Sequence, residues 1–157
     1  MIQRIQTVYL FLASAVMVLI NWLPLVKFTI KNNETENLVD FTTFGIENNI
    51  NDVAIYVTTY PIAIITILTA VLSFIAIFMY RNRPKQKNVA LISLFLSLMF
   101  YAIFIIYWWY LKDFISTTQT TISYGLAIPA VSLILNMLAA KAINADEKLV
   151  RSADRIR

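Results

Sequence analysis

Among the polar side chains that interrupt the longest apolar stretches of this chain are Asn21, Asn136, Thr66, Thr69, Ser73, Ser93 and Ser97. Carboxamides and hydroxyls donate and accept hydrogen bonds, but unaided they neither ionise nor attack. A site made from them would hold a polar solute or join two helices; it would not run acid–base chemistry. The chain has no His and no Cys. It therefore lacks the commonest general base and metal ligand, the thiol nucleophile, and any disulfide or zinc ribbon. The nine Asp and Glu all lie outside the apolar stretches, and no catalytic, metal or nucleotide motif stands out. The expectation is a protein that is not an enzyme and carries no metal or cofactor.

Thr66, Thr69, Ala70, Ser73 and Ala76 fall at i, i+3, i+4, i+7 and i+10, which places them on one helix face. Small and hydroxylated residues at this spacing most often form a packing seam, and a lone Asn in such a helix most often bonds a neighbouring helix. The alternative is a polar path at a subunit interface, built from Thr66, Thr69, Ser73 or Asn136. Charge is concentrated elsewhere. Arg81, Arg83, Lys85 and Lys87 share residues 81–88 with no acid. They are candidates for setting topology and for contacting anionic headgroups, at about 1 kcal/mol per cation near an anionic leaflet. Four cations without interleaved aromatics would bind nucleic acid weakly and in a salt-sensitive way, so no specific nucleic acid is expected. In residues 141–157, Leu149, Val150, Ala153 and Ile156 recur at helical spacing, and Glu147 and Arg151 form an i,i+4 pair of favourable order. Glu147, Lys148, Arg151, Asp154 and Arg155 are the candidates for docking a partner.

These residues need elements to hold them, and composition says which solvent those elements face. Residues of the AVILMFWYC set make up 59% of the 157 residues, charged residues 14%, and the mean hydropathy is +0.69. Soluble domains carry roughly 25% charged residues; this chain has too few charges to cover a water-exposed surface. Four stretches, 7–26, 61–80, 89–111 and 122–140, have the length that crosses about 30 Å of hydrocarbon. The small residues Ala13, Ser14 and Ala15 resemble a signal-peptide cleavage site but come too early, so the first stretch reads as an uncleaved span. Pro61 stands at a helix start, Pro129 within the fourth span, and Tyr107, Trp108, Trp109 and Tyr110 form an aromatic belt.

The predicted fold is an all-α membrane protein: a single domain, a four-transmembrane-helix up-down bundle. The loop at 27–52 has segments 28–30 and 38–42, rich in β-branched and aromatic residues, around a turn-like run at 32–37. They predict a small periplasmic β-hairpin, with Phe41, Phe44 and Ile46 packed on the helix ends or the lipid interface. Asp52 reads as a helix cap and residues 53–60 as an interfacial amphipathic segment. Residues 112–121 read as a short polar connection. The tail, 141–157, is either a continuation of the fourth helix or a short cytoplasmic C-terminal helix. Ten of the thirteen Lys and Arg fall in the N-terminal lead, residues 81–88 and the tail. The positive-inside rule places those segments in the cytoplasm.

The start MIQRIQTVYL, the segment Phe41, Thr42, Thr43, Phe44, Gly45 and Ile46, and the close DEKLVRSADRIR resemble a family of small four-span inner-membrane proteins of Bacteroidetes, catalogued as domain of unknown function 4293. The likeness covers essentially the whole chain. It implies a bacterial cytoplasmic-membrane location and brings no activity, ligand or catalytic residue. The architecture is also similar to claudin-like tetraspans, whose paired outer-loop cysteines are absent here. The expected function is a non-enzymatic accessory or scaffold subunit of a larger membrane complex. Its partners would be other membrane subunits and anionic lipids. The alternative is a small-molecule or lipid transporter acting as a homo-oligomer.

Overall fold

The computed structural model describes the backbone of residues 3–32, 35–47, 49–50, 53–54, 57–80, 82–115 and 119–154. Four helices dominate: α1 (Gln3–Leu19), α2 (Tyr60–Phe78), α3 (Arg83–Ile115) and α4 (Ile128–Asp154). Each contains a stretch long and apolar enough to cross a membrane. Only 28–39% of the residues in these stretches are buried within the bundle. Phe11, Phe74, Phe95, Ile106 and Ile134 point outward, half-exposed. An apolar exterior of this extent belongs in hydrocarbon, not water.

Neighbouring helices pack as α1 on α2, α2 on α3, α3 on α4, and α4 back on α1. Alternating direction brings the start of α1, the end of α2 with the start of α3, and the end of α4 to one end of the bundle, here the terminal end. The residues expected on the inner face of the second span lie there: Thr66, Thr69, Ala70, Ser73 and Ala76 are all buried. So are Ser93 and Ser97 of α3. Pro61 sits in the first turn of α2, where a missing N–H costs nothing.

The other end carries a sheet larger than the expected hairpin. Strands β1 (Val26–Asn32) and β2 (Thr35–Phe41) form that hairpin, paired from Val26↔Phe41 to Asn32↔Thr35. Asn33 and Glu34 of the expected turn lie outside the described residues. β3 (Gly45–Glu47) and β6 (Val57–Thr58) extend the sheet on one side. β7 (Gln119–Ile122) pairs with β1 on the other, for an order β6-β3-β2-β1-β7. A separate short ladder joins β4 (Asn49–Ile50) to β5 (Val53–Ala54).

Four expectations change or narrow here. Residues 112–121 are not a plain polar connection: α3 continues to Ile115 and β7 occupies Gln119–Ile122. The fourth helix starts at Ile128 after a 3-10 turn, Tyr124–Ala127, and not at 122. Residues 53–60 hold two short strands before α2 instead of one amphipathic segment; Asp52 lies outside the described residues. Of the two readings of the tail the continuation holds: α4 runs unbroken to Asp154, and the described residues carry no separate C-terminal helix.

Alternation sets which sheet face is apolar. Val26, Phe28, Val39 and Phe41 are buried, while Lys27 and Asp40 face away and pair at 3.9 Å on the surface. The inward rings join an aromatic series running into α3: Phe28–Phe41 at 6.3 Å, Phe41–Phe104 at 5.8 Å and Phe104–Phe100 at 6.2 Å between centroids. The 33 residues of α3 measure about 50 Å against about 30 Å of hydrocarbon. The sheet packs against the sheet-end half of α3, on Phe100, Phe104 and Leu111.

Candidate functional surfaces at the two ends of the bundle

Most of the buried polar side chains described inside the bundle are joined to one another or to backbone. Near the middle, Ser73 of α2 donates to Asn136 Oδ1 of α4 at 3.2 Å. The Asn136 Nδ2 group donates to Ser132 Oγ at 3.4 Å, and Ser132 in turn to the Ala13 carbonyl of α1 at 3.4 Å. The Ser73–Asn136 bond crosses the bundle, since α2 and α4 sit on opposite corners. Thr69, Ser93 and Ser97 each bond the carbonyl four residues back in their own helix, the usual way a hydroxyl hides in an apolar helix. This polar layer separates two apolar clusters. One, at the sheet end, centres on Ile20, Leu25, Phe28, Phe41, Phe100 and Phe104. The other, at the terminal end, centres on Leu10, Ala76, Ala90, Ala139 and Ile143.

Toward the sheet end, Asn21 works as a joint. Its Nδ2 donates to the Met17 and Val18 carbonyls, closing the end of α1. Its Oδ1 accepts from Thr66 and from Thr43, both at 3.1 Å. Thr59 then holds the β2–β3 turn by donating to the Thr43 carbonyl at 2.9 Å. One carboxamide thus ties α1, α2 and the sheet together. Two crevices open below the sheet edges. One, of about 350 Å³, lies between α1 and α2 beneath Phe44. The other, of about 440 Å³, lies by Tyr101, Ile122 and Tyr124. Of the expected belt, Trp109 and Tyr110 are exposed, whereas Tyr107 and Trp108 pack half-buried against the sheet-end cluster.

The terminal end gathers the charged candidates. The loop expected at 81–88 is shorter: α3 begins at Arg83, so Arg83, Lys85 and Lys87 ride the first two turns of a helix. Arg83 donates to the Asp146 carbonyl at 3.1 Å, and Lys87 to Asn144 Oδ1 at 2.8 Å. Both are half-buried against α4, and Lys85 is exposed. Gln86 is buried and donates to the Ala76 carbonyl at 3.0 Å, satisfying the end of α2. Arg81 lies outside the described residues. In the tail, Glu147 is half-buried and Lys148 exposed. Arg151 and Asp154 belong to α4 by backbone, with side chains outside the described residues, as is all of Arg155. Leu149 and Val150 are exposed apolar residues beside them, 59% and 43% accessible.

Sequence reasoning missed Asp146 as a packing residue. Its carboxylate is buried and accepts from Gln6 Nε2 of α1. The signal was present: Asn136, Ala139, Ile143 and Asp146 follow the helical spacing of one buried stripe. Among the described residues, no three His, Cys, Asp or Glu side chains come together as a metal would require.

The profile of a family described as Domain of unknown function (DUF4293) matches residues 2–156. The chain belongs to that family. A comparison with curated proteins finds no match. Membership extends over nearly the whole chain, so the helices, the sheet and the joined polar groups described above all fall within the family's region.

Proposed function

We propose that this DUF4293 chain is a non-enzymatic accessory or scaffold subunit of a larger membrane assembly, placed in a bacterial inner membrane with both termini cytoplasmic. The observation that carries the reading is where the free chemistry lies. Inside the bundle, Asn21, Thr66, Ser73, Ser132 and Asn136 are occupied in joining helices, and Thr69, Ser93 and Ser97 in bonding their own helix backbone, while the acidic and basic side chains stand at its ends. Intramembrane acidic and basic groups mark proton relays and ion pathways, and the apolar stretches 7–26, 61–80, 89–111 and 122–140 contain no Asp, Glu, Lys or Arg. The surfaces left for recognition are the sheet and the protruding end of α4, where Lys148, Leu149 and Val150 are exposed. Mixed apolar and charged character suits a protein contact better than a purely electrostatic one. Lys85 adds a site for anionic headgroups.

The transporter alternative loses support from the same geometry. Thr66, Thr69, Ser73 and Asn136 are fully buried within one chain, so they are not available to line a path between chains. The deciding experiment is purification in nanodiscs from the native membrane at low salt, followed by mass spectrometry. A stoichiometric protein partner is expected; recovery of this chain alone would remove the main support for a subunit role.

A further inference from the structure

The crevice between α1 and α2 is bounded by Val18, Asn21 and Trp22 on one wall, Ile67, Ala70 and Val71 on the other, and Phe44 above. Ala70 is buried, and its small side chain leaves the depth of the groove between half-exposed Ile67 and Val71. Both walls belong to membrane-crossing helices. Val71 stands eleven residues into α2 from Tyr60, about 16 Å down, near the middle of about 30 Å of hydrocarbon. Trp22, 74% exposed, stands at the mouth, where an indole favours headgroup depth. The groove therefore runs from headgroup level to mid-bilayer and opens sideways into lipid.

Its lining is apolar except for Asn21. That carboxamide is committed on both sides, to the α1 carbonyls and to Thr43 and Thr66. The roof is likewise held, with Thr42 bonding the Gly45 carbonyl and Thr59 the carbonyls of Thr42 and Thr43. Water would find few partners in such a groove, whereas a methylene chain would recover the packing contacts its walls lack. We propose that this crevice is a discrete site for one acyl chain of a phospholipid in the leaflet on the sheet side, its glycerol end resting by Trp22 and Phe44.

The test uses the full chain in detergent with added phosphatidylglycerol or phosphatidylcholine, read by native mass spectrometry and thermal unfolding. The wild type is expected to retain one phospholipid of either headgroup and to gain thermal stability from it. Ala70→Phe, which fills the floor, is expected to weaken retention about fivefold and abolish that gain. Ile67→Ala, which removes a wall without overpacking, is expected to weaken it likewise and decides the matter if Ala70→Phe does not fold. Ile134→Phe, on the lipid-facing side of α4, is expected to change nothing. In nanodiscs, a Trp108→Phe/Trp109→Phe variant leaves Trp22 as the sole indole, and mid-chain brominated phosphatidylcholine should quench it less after Ala70→Phe. Unchanged retention in both groove variants would overturn the proposal. So would a loss of self-association, instead of lipid, when the groove is filled, since that outcome would assign the groove to a second copy.

Discussion

Asp146 and Gln6 sit where α4 leaves the bundle, and their bond joins the two ends of the chain. A buried carboxylate must keep its hydrogen bonds, because an unmet acceptor costs more than the bond itself contributes. Arg83 bonds the backbone carbonyl of the same residue, so a cation also stands close to this acid. Asp146→Ala should lower stability by about 1–3 kcal/mol by orphaning the Gln6 amide, and Asp146→Asn, which can still accept, should recover most of it. Thermal unfolding in one detergent checks both. Asn136 belongs to a softer class: hydrogen bonds between membrane helices average about 0.6 kcal/mol, so Asn136→Ala should cost about 1 kcal/mol even with its three-helix reach. Gly125 acts through space alone. A Cβ there would stand 2.3 Å from the Pro24 carbonyl oxygen, and backbone cannot swing aside as a side chain does. Gly125→Ala should therefore destabilise by about 1–3 kcal/mol, the usual range for overpacking, and it should do so at the sheet end, seen as faster amide exchange in β7 and the start of α4.

At the scale of elements, the four spans, the buried seam of α2 and the β1–β2 hairpin were legible because each rests on a local pattern. The seam residues from Thr66 to Ala76 repeat at helical spacing, and segments 28–30 and 38–42 carry β-branched and aromatic residues around a turn-like run, although Val26, read as the end of the first span, opens β1. β7 was not legible. Its four residues, Gln119, Thr120, Thr121 and Ile122, are all exposed, so no inward-facing pattern announces a strand. It exists through a pairing with β1 that lies some ninety residues away in sequence. The extension of α3 to Ile115 was hidden too, since Lys112 and Asp113 interrupt the apolar pattern and look like the start of a loop. In the charged segment, residue types were legible and partners were not: that Arg83 and Lys87 turn onto α4 depends on how two helices meet. β7 also yields a sharp test. Along an edge strand, successive residues aim their N–H groups alternately at the neighbour and at open space. Of Thr120→Pro and Thr121→Pro, one should loosen β7 from β1 and the other should be nearly silent, as read by amide exchange of residues 26–29; equal effects would speak against the pairing.

For the whole molecule, orientation is the property on which every proposed contact depends. The positive-inside rule acts on the chain as it inserts, before helices pack, and it counts cations whether or not they later find partners. Under the proposed orientation, Arg83 and Lys87 would have two separable roles, first as retained charges and afterwards as the donors to Asp146 and Asn144 that the structure shows. With ten of thirteen cations in the N-terminal lead, residues 81–88 and the tail, losing one should leave topology unchanged while removing one packing bond. The chain has no native thiol, so single cysteines report position directly. Gln86 is buried and a poor choice, but Lys85 and Thr120 are exposed at opposite ends. Thr120→Cys should react with a membrane-impermeant maleimide in intact spheroplasts, and Lys85→Cys only after permeabilisation. Adding Arg83→Ala to each should leave this labelling pattern intact while lowering thermal stability by about 1 kcal/mol, the worth of one hydrogen bond. Labelling of Lys85→Cys from outside would instead invert the protein, moving the sheet to the cytoplasm and the α4 end to the other face.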